Sequence, residues 1–297
     1  MCVKCSEMMQ KIKFCFSKSS PVFAFFAFSW YSVSVIILFM FILSTASLLW
    51  YELHHIFALA RDAHYDGIDL SLTHGLYDTW DETYLREITA ITNIPIVSIT
   101  APERRVTKEL IKKIMKMTDS LGIKLVNFYP PHRLDPHKDW FWEYLAEVQS
   151  RYPDIQVSVI NAPPKTFLFF IPEYGNARPE VTKKITGNSS MMIAHIDPNS
   201  GVDLMKTFAL LGNTIRLIYL SDSIDDQHEL FLWNGQMPLE SLLIKLRDLS
   251  YTGIFALKVD PRELEVGTKE KVLERLIQAK QYFEKYFSGK KTRKLEE

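Results

Sequence analysis

The sequence predicts an α/β protein, a (β/α)8 TIM barrel preceded by an apolar N-terminal helix. Eight short apolar or β-branched segments follow one another from residue 40, and their starts are separated by roughly 24 to 38 residues, the length of one strand–helix unit. Segments with helical periodicity lie between them. A doubly wound sheet is the alternative, but neither the G-x-G-x-x-G nor the G-x-x-x-x-G-K-[ST] phosphate-binding pattern occurs in the chain.

The strands are predicted where apolar and β-branched residues cluster between turn-forming residues. In chain order they are Phe41–Thr45, Gly67–Leu72, Pro95–Thr100, Lys124–Tyr129, Ile155–Ile160, Met191–Ile196, Ile215–Leu220 and Gly253–Val259. The fourth and seventh of these lack the apolar–polar alternation of a half-exposed sheet. We therefore expect parallel strands that are buried on both faces.

The helices are predicted from apolar residues that recur on one face. In the segment that starts at Thr107, the apolar residues Leu110, Ile111, Ile114 and Met115 share a face and lysines occupy the opposite one. The segments 239–249 and 269–286 show the same periodicity. Alternating strands and helices over about 250 residues are typical of an eight-stranded barrel.

Composition and charge exclude several classes of protein. The 297 residues carry 35 Lys+Arg and 35 Asp+Glu, and 47% of them are hydrophobic, which excludes a disordered chain. A net charge of zero argues against nucleic acid as a partner, because that binding needs a basic surface. Cysteine occurs only at positions 2, 5 and 15, so the predicted barrel has neither disulfides nor thiolate metal sites.

The N-terminal segment has three interpretations. No charged residue occurs from Ser19 to Tyr51, and Pro21–Met40 is long enough, at 20 residues, for a helix that spans a bilayer core. The first interpretation is a membrane anchor through residues 21–40, with the lysine-rich N-terminus inside. The second is a cleaved signal peptide. The third is translation from Met40, which would give a cytoplasmic protein. We expect an extension at 1–39, a barrel at 40–287 and a charged tail at 288–297.

Functional residues of such barrels lie at the C-terminal ends of the strands. This rule selects a polar set: Ser44, Thr45, Asp69, His74, Thr100, Glu103, Arg104, Asn127, Tyr129, His132, Asn161, His195, Asp197, Asn199, Tyr219, Ser221, Asp222, Lys258 and Asp260. From these residues and the loop that follows strand seven, the candidates for binding a substrate are Asp69, Asn161, Asp197, Asp222, His228 and Lys258.

Several of these segments resemble motifs of one superfamily. The run from Ala63 to Leu70, Ala-His-Tyr-Asp-Gly-Ile-Asp-Leu, resembles the second-strand signature of the xylose-isomerase-like barrels, which include sugar and sugar-phosphate isomerases, epimerases and apurinic endonucleases. Tyr219-Leu-Ser-Asp222 is similar to their seventh-strand His-x-x-Asp. The loop from His228 to Glu240 and the approach to the last strand at 249–257 are also similar. The resemblance covers about residues 40 to 287 and implies the barrel fold and a sugar-like ligand.

The resemblance also implies a metal site, which this chain does not preserve. Active members hold one divalent metal between a Glu on strand five, an Asp on strand six, a His on strand seven and a Glu on strand eight, and the two glutamates move protons. In this chain those positions fall on Ile160, Asp197, Tyr219 and Lys258. One carboxylate, without the other anionic ligands, does not hold a hard divalent cation. We therefore expect no metal and no other cofactor.

Lys258 has three interpretations at the predicted barrel mouth. It forms a structural ion pair with Asp197 or Asp222, or it binds an anion or a substrate phosphate, or it is a Schiff-base lysine. The function predicted is a divergent sugar or sugar-phosphate isomerase/epimerase-like barrel that has lost the metal-dependent proton-transfer site. The alternative is a non-catalytic barrel that binds a carbohydrate-like ligand or a partner and is held at a membrane.

Overall fold

The computed structural model describes residues 39–162, 166–167, 171–174, 179–196, 204–225, 227–265 and 267–289. Its centre is a closed barrel of eight strands in which each strand pairs with its neighbours in the sequence, and every pair is parallel. The strands are β1 Met40–Ser44, β2 Ile68–Ser71, β3 Ile96–Thr100, β4 Leu125–Phe128, β5 Gln156–Ile160, β6 Ser189–Met192, β7 Ile215–Leu220 and β8 Ile254–Leu257. The predicted barrel is confirmed.

A helix follows each strand. These helices are α1 Leu53–Asp62, α2 Glu82–Thr92, α3 Lys108–Ser120, α4 Lys138–Arg151, α5 Pro179–Thr186, α6 Leu204–Leu211, α7 Leu239–Asp248 and α8 Lys269–Phe283. The side chains of Asp81, Thr107 and Thr268 accept hydrogen bonds from the first free backbone N–H groups of α2, α3 and α8, which fixes where these helices begin. The three helices predicted from periodicity are confirmed.

The sixth strand lies earlier in the chain than predicted. Its residues are Ser189–Met192, and the apolar residues that follow form a 3-10 turn at Ile193–His195. Ser190 is buried although it is polar, because its hydroxyl donates to Asn127 Oδ1 at 2.7 Å inside the barrel. The prediction of Met191–Ile196 was therefore too late in the chain, because two buried serines form the first half of the strand.

The hydrophobic core consists of two clusters of buried residues. The large cluster lies between the outer faces of the strands and the helices. A smaller cluster fills the barrel interior and consists of Ile42, Leu125, Ile160, Met192, Leu217, Tyr219 and Ala256. As predicted, β4 is buried along its whole length, and β7 is buried except at Arg216, which is half-buried.

The predicted N-terminal helix lies almost entirely outside the described residues. Met40, which the prediction placed at its end, is instead the first residue of β1. Among the residues that the structure describes, none of the helices combines the length and the apolar character that crossing a bilayer requires. The anchor and the division into an extension, a barrel and a tail stay predictions.

Candidate functional site at the barrel mouth

A polar cavity of about 240 Å³ lies where the C-terminal ends of the strands meet. The residues that line it follow β3 to β8 and are Glu103, Tyr129, Pro130, Ala162, Tyr174, His195, His228, Glu229 and Lys258. The volume is just below the roughly 300 Å³ at which ordinary ligand pockets begin. The cavity therefore suits a small molecule.

The centre of this cavity is an ion pair between the buried Lys258 and the partly buried Glu229. Lys258 Nζ lies 2.8 Å from Glu229 Oε1 and donates a second hydrogen bond to the hydroxyl of Tyr129 at 2.9 Å. The side chain of Lys258 is 8% exposed and that of Glu229 is 29% exposed. The ammonium also lies 5.9 Å from the centroid of the Tyr219 ring, a contact that favours a cation.

The two members of the pair hold each other in their charged forms. Burial disfavours the ammonium of Lys258, but the neighbouring oxygens of Tyr129 and Glu229 outweigh it and raise the pKa of Lys258 above its usual value. Burial likewise opposes the carboxylate of Glu229, but the ammonium lowers its pKa below the usual range. The ammonium that pairs with Glu229 at 2.8 Å has no free lone pair for attack on a carbonyl, so this contact favours the ion-pair interpretation over the Schiff-base one.

Glu229 reaches the cavity from a hairpin that follows β7. The hairpin pairs Asp222–Ile224 with Gln227–Leu230, and Glu229 has a left-handed backbone with φ of 60°. Its carbonyl accepts a hydrogen bond from the Asp260 N–H at 2.7 Å. The sequence prediction missed this residue. The available signal was an acidic residue next to His228 in the loop after strand seven.

His195 is held in one orientation beside the ion pair. Its Nδ1 lies 2.8 Å from the carbonyl oxygen of Asn161, and because a carbonyl only accepts, Nδ1 carries the proton. Burial lowers the pKa of His195 to about 4, although the Asn161 carbonyl opposes that shift. The ring is therefore neutral at physiological pH, and the lone pair is on Nε2.

Asn161 and His228 contribute to the same side of the mouth. The amide of Asn161 accepts from the Met192 N–H at 2.6 Å and donates to the Met192 carbonyl at 3.1 Å, which extends the contact between β5 and β6. His228 packs edge-on against His195, with 6.3 Å between ring centroids. The Nδ1 atom of His228 is buried and has no hydrogen-bond partner in the part of the chain that the structure describes.

Asp222 lies at the same end of the barrel, but its carboxylate binds backbone N–H groups of its own loop. Its carboxylate accepts hydrogen bonds from the N–H groups of Ser223, Gly235 and Met237 at 2.8 to 2.9 Å. A Cβ at Gly235 would lie 2.5 Å from Asp222 Oδ1, so the loop requires glycine there. Lys258 pairs with Glu229 rather than with Asp222, and the role of Asp222 as a substrate ligand stays a prediction.

Asp69 lies in the barrel interior below the mouth. Its carboxylate accepts hydrogen bonds from the hydroxyls of Ser44, Ser98 and Thr100 at 2.8, 2.6 and 2.8 Å. The Thr100 hydroxyl also lies 2.7 Å from the Tyr219 hydroxyl. Burial raises the pKa of Asp69, and the three hydroxyls and Lys258 oppose that shift. The structure thus separates Asp69 from the other binding candidates, as the acceptor of an internal hydroxyl network.

The positions at which the resemblance implies a metal do not form a ligand set among the described residues. Ile160 and Tyr219 belong to the apolar interior cluster, and Lys258 is an ammonium. Asp197, which the prediction placed on strand six, lies outside the described residues, and the inward residue at the end of β6 is Met192, whose sulfur is 3.9 Å from Lys258 Nζ. Glu229 offers a carboxylate, but that group already pairs with Lys258. These residues do not fit a divalent cation.

Two other features of the described residues lie outside this cavity. Glu52, His54 and His55 bring metal-ligand atoms within 4.8 Å of one another, but all three are exposed. A larger cavity of about 610 Å³ lies between the loops after β3 and β4 and is lined by Arg104, Arg105, Val106, Thr107, Lys108, Glu109, Asp135, Pro136, His137 and Trp140. The larger cavity includes only Arg104 of the polar set selected from the strand ends.

No family model matches the sequence, and no curated protein matches it. The structure is similar to solved structures of one kind. A xylose isomerase domain containing protein from Salmonella typhimurium LT2 aligns with a TM-score of 0.61 at 16% identity, over 82% of this chain and 97% of that one. An L-ribulose 3-epimerase aligns with a TM-score of 0.62 at 14% identity, over 84% and 96%.

A sugar phosphate isomerase/epimerase from Parabacteroides distasonis ATCC 8503 aligns with a TM-score of 0.61 at 17% identity, over 85% of this chain and 97% of that one. Identities this low show the fold and not the activity. The chain has the fold of the xylose-isomerase-like TIM barrels, and the predicted resemblance is confirmed at that level.

Proposed function

We propose that this barrel binds a small carbohydrate-like molecule in the mouth cavity and has lost the metal-dependent proton transfer of sugar isomerases and epimerases. The observation that carries the proposal is the ion pair of the buried Lys258 and the partly buried Glu229, whose charged atoms lie 2.8 Å apart. This pair lies at the end of the barrel where the resemblance implies a metal. In this chain the positive charge at that place belongs to a side chain.

Ligand binding is supported by the chemistry of the cavity walls. Hydroxyls of Tyr129 and Tyr174, the imidazole of His195 and two carboxylates face one small space. Such a wall offers both donors and acceptors, which a polyhydroxylated molecule needs to replace its bonds to water. The similar solved structures include an L-ribulose 3-epimerase and a sugar phosphate isomerase/epimerase, which is consistent with a sugar-like ligand.

Loss of the metal reaction is supported by the side chains at the implied positions. A Lewis acid must polarise the carbonyl while a base on each side of the carbon moves the proton. Ile160 has no proton to exchange, and Lys258 keeps its proton because its pKa is raised. Attachment of the protein to a membrane through the apolar segment that precedes β1 is a separate proposal, and only the uncharged run of the sequence supports it.

Elemental analysis of the full chain tests the loss of the metal site. We expect far less than one equivalent of Mg, Mn, Co or Zn after purification without chelators, and no change in thermal stability on adding EDTA. The triple variant Ile160→Glu, Tyr219→His and Lys258→Glu should gain affinity for Mn²⁺. The matched triple Ile160→Gln, Tyr219→Phe and Lys258→Gln should not gain it. An epimerase activity of the natural chain that a chelator abolishes would contradict the proposal.

A further inference from the structure

We propose that Glu229 determines which ligands the mouth cavity accepts. Its carboxylate neutralises Lys258, so the cavity accepts neutral polyhydroxylated ligands and rejects phosphorylated or carboxylated ones. This inference rests on the proposed function for the existence of a sugar-like ligand. It adds the class of that ligand and the residue that selects it.

The charges that face the cavity favour a neutral ligand. The described lining residues supply one ammonium, Lys258, and two carboxylates, Glu103 and Glu229. His195 is neutral at physiological pH, and burial raises the pKa of Tyr129 so that its hydroxyl keeps its proton. A phosphate group that entered this space would meet an ammonium whose charge is already balanced and a second carboxylate nearby.

The hydrogen bonds of Lys258 lead to the same conclusion. Its Nζ donates to Glu229 and to Tyr129, and among the described residues it also contacts the Met192 sulfur at 3.9 Å. An anion that displaced the Glu229 carboxylate would leave a partly buried charge unpaired, and an anion that displaced only the Met192 sulfur would meet the Glu229 carboxylate beside the same ammonium. A neutral hydroxyl can approach without breaking the ion pair.

The carboxylate of Glu103 provides a comparison within the same cavity, at an exposed residue that does not pair with Lys258. Glu103 Oε1 accepts a hydrogen bond from the Tyr174 hydroxyl at 2.8 Å, so its polar partner is a neutral group. Removing the charge of Glu103 changes the net charge of the cavity by the same amount as removing that of Glu229. Only the change at Glu229 leaves Lys258 without its anionic partner.

The test compares phosphate binding by full-chain variants. The probe is inorganic phosphate, followed by isothermal titration calorimetry in a chloride-free buffer. We expect Glu229→Gln to bind phosphate at least about tenfold more tightly than the natural chain, and Glu103→Gln, which removes an exposed charge and leaves Lys258 paired, to gain less than about threefold. The double variant Glu229→Gln with Lys258→Met should lose the gain, which separates binding at the mouth from binding near Arg104 in the larger cavity.

Equal phosphate affinities of the two single variants, or a gain that survives the loss of Lys258, would overturn the inference. A second measurement needs no variant. The natural chain should bind D-fructose more tightly than D-fructose 6-phosphate, and the reverse order of affinities would also overturn the inference. If neither sugar binds, the proposed carbohydrate ligand is wrong, while the phosphate titrations still decide the role of Glu229.

Discussion

Replacing Lys258 by methionine removes the ammonium from the mouth and keeps an unbranched side chain of similar length. At the observed 2.8 Å, the gross attraction within the pair is about 6 kcal/mol at an effective dielectric constant of 20. The desolvation of both groups offsets much of this attraction. Removing one member of a fully buried pair typically costs about 3–5 kcal/mol. Because the Glu229 side chain is 29% exposed and is partly hydrated, we expect Lys258→Met to lower the free energy of unfolding by about 2–3 kcal/mol.

Glu229→Gln should cost a similar amount, because it leaves the ammonium buried. The double variant should lie within about 1 kcal/mol of the natural chain, since no uncompensated charge remains. Urea unfolding followed by circular dichroism measures all four proteins at pH 7. The matched control is the exposed pair of Arg151 and Glu147, where Arg151→Met should change stability by less than about 0.5 kcal/mol.

The cost of Lys258→Met should also depend on pH. The pKa of Glu229 is lowered in the folded chain, so the stabilisation from its charge is present above the unfolded pKa of about 4.3 and is lost as the pH falls through the folded value. The pKa of Lys258 is raised, so its contribution is complete below about pH 10.4 and is lost as the pH rises through the folded value. The difference between natural chain and variant should therefore be constant from about pH 5 to 9 and shrink in acid. Additive effects of the two single variants, or a cost that does not change in acid, would refute this account of the pair.

Two further predictions concern the network below the pair and the imidazole beside it. Thr100→Val removes a hydroxyl that forms hydrogen bonds with both Asp69 and Tyr219. It should lower the free energy of unfolding by about 1–3 kcal/mol in urea titrations. A smaller loss than for the exposed control Thr83→Val would contradict the shared hydrogen bonds. The His195 ring should titrate near pH 4 in NMR spectra rather than near the ordinary value of about 6.5. Because the unfolded chain then takes up this proton before the folded chain does, stability should fall as the pH drops from 6.5 to 4. Titration near pH 6.5 would contradict the desolvation of the ring.

The predictability of the site differs from residue to residue. The rule that functional groups follow the strand ends selected Glu103, Tyr129, His195 and Lys258, and the structure brings all four to one cavity. The rule did not select Glu229, which lies on the second strand of the hairpin after β7. The sequence does not show where that hairpin turns back toward the cavity. The rule selected Asp222, but the carboxylate of Asp222 binds three backbone N–H groups of its own loop. Strand position alone does not reveal such local competition for an acceptor.

The sequence by itself predicted the barrel, because eight apolar segments recur at the spacing of strand–helix units. Eight such units are typical of a closed parallel sheet, whereas the doubly wound alternative lacked its glycine-rich phosphate loop. The sequence also showed that isoleucine, tyrosine and lysine stand where the resemblance implies metal ligands. Only the tertiary structure decided which carboxylate neutralises Lys258. Glu229 lies 29 residues away in the chain. Its carboxylate lies beside the ammonium because its backbone is left-handed and its carbonyl accepts a hydrogen bond from Asp260. A buried charge binds the partner that the fold places within hydrogen-bond distance, and no local pattern in the sequence specifies that distance.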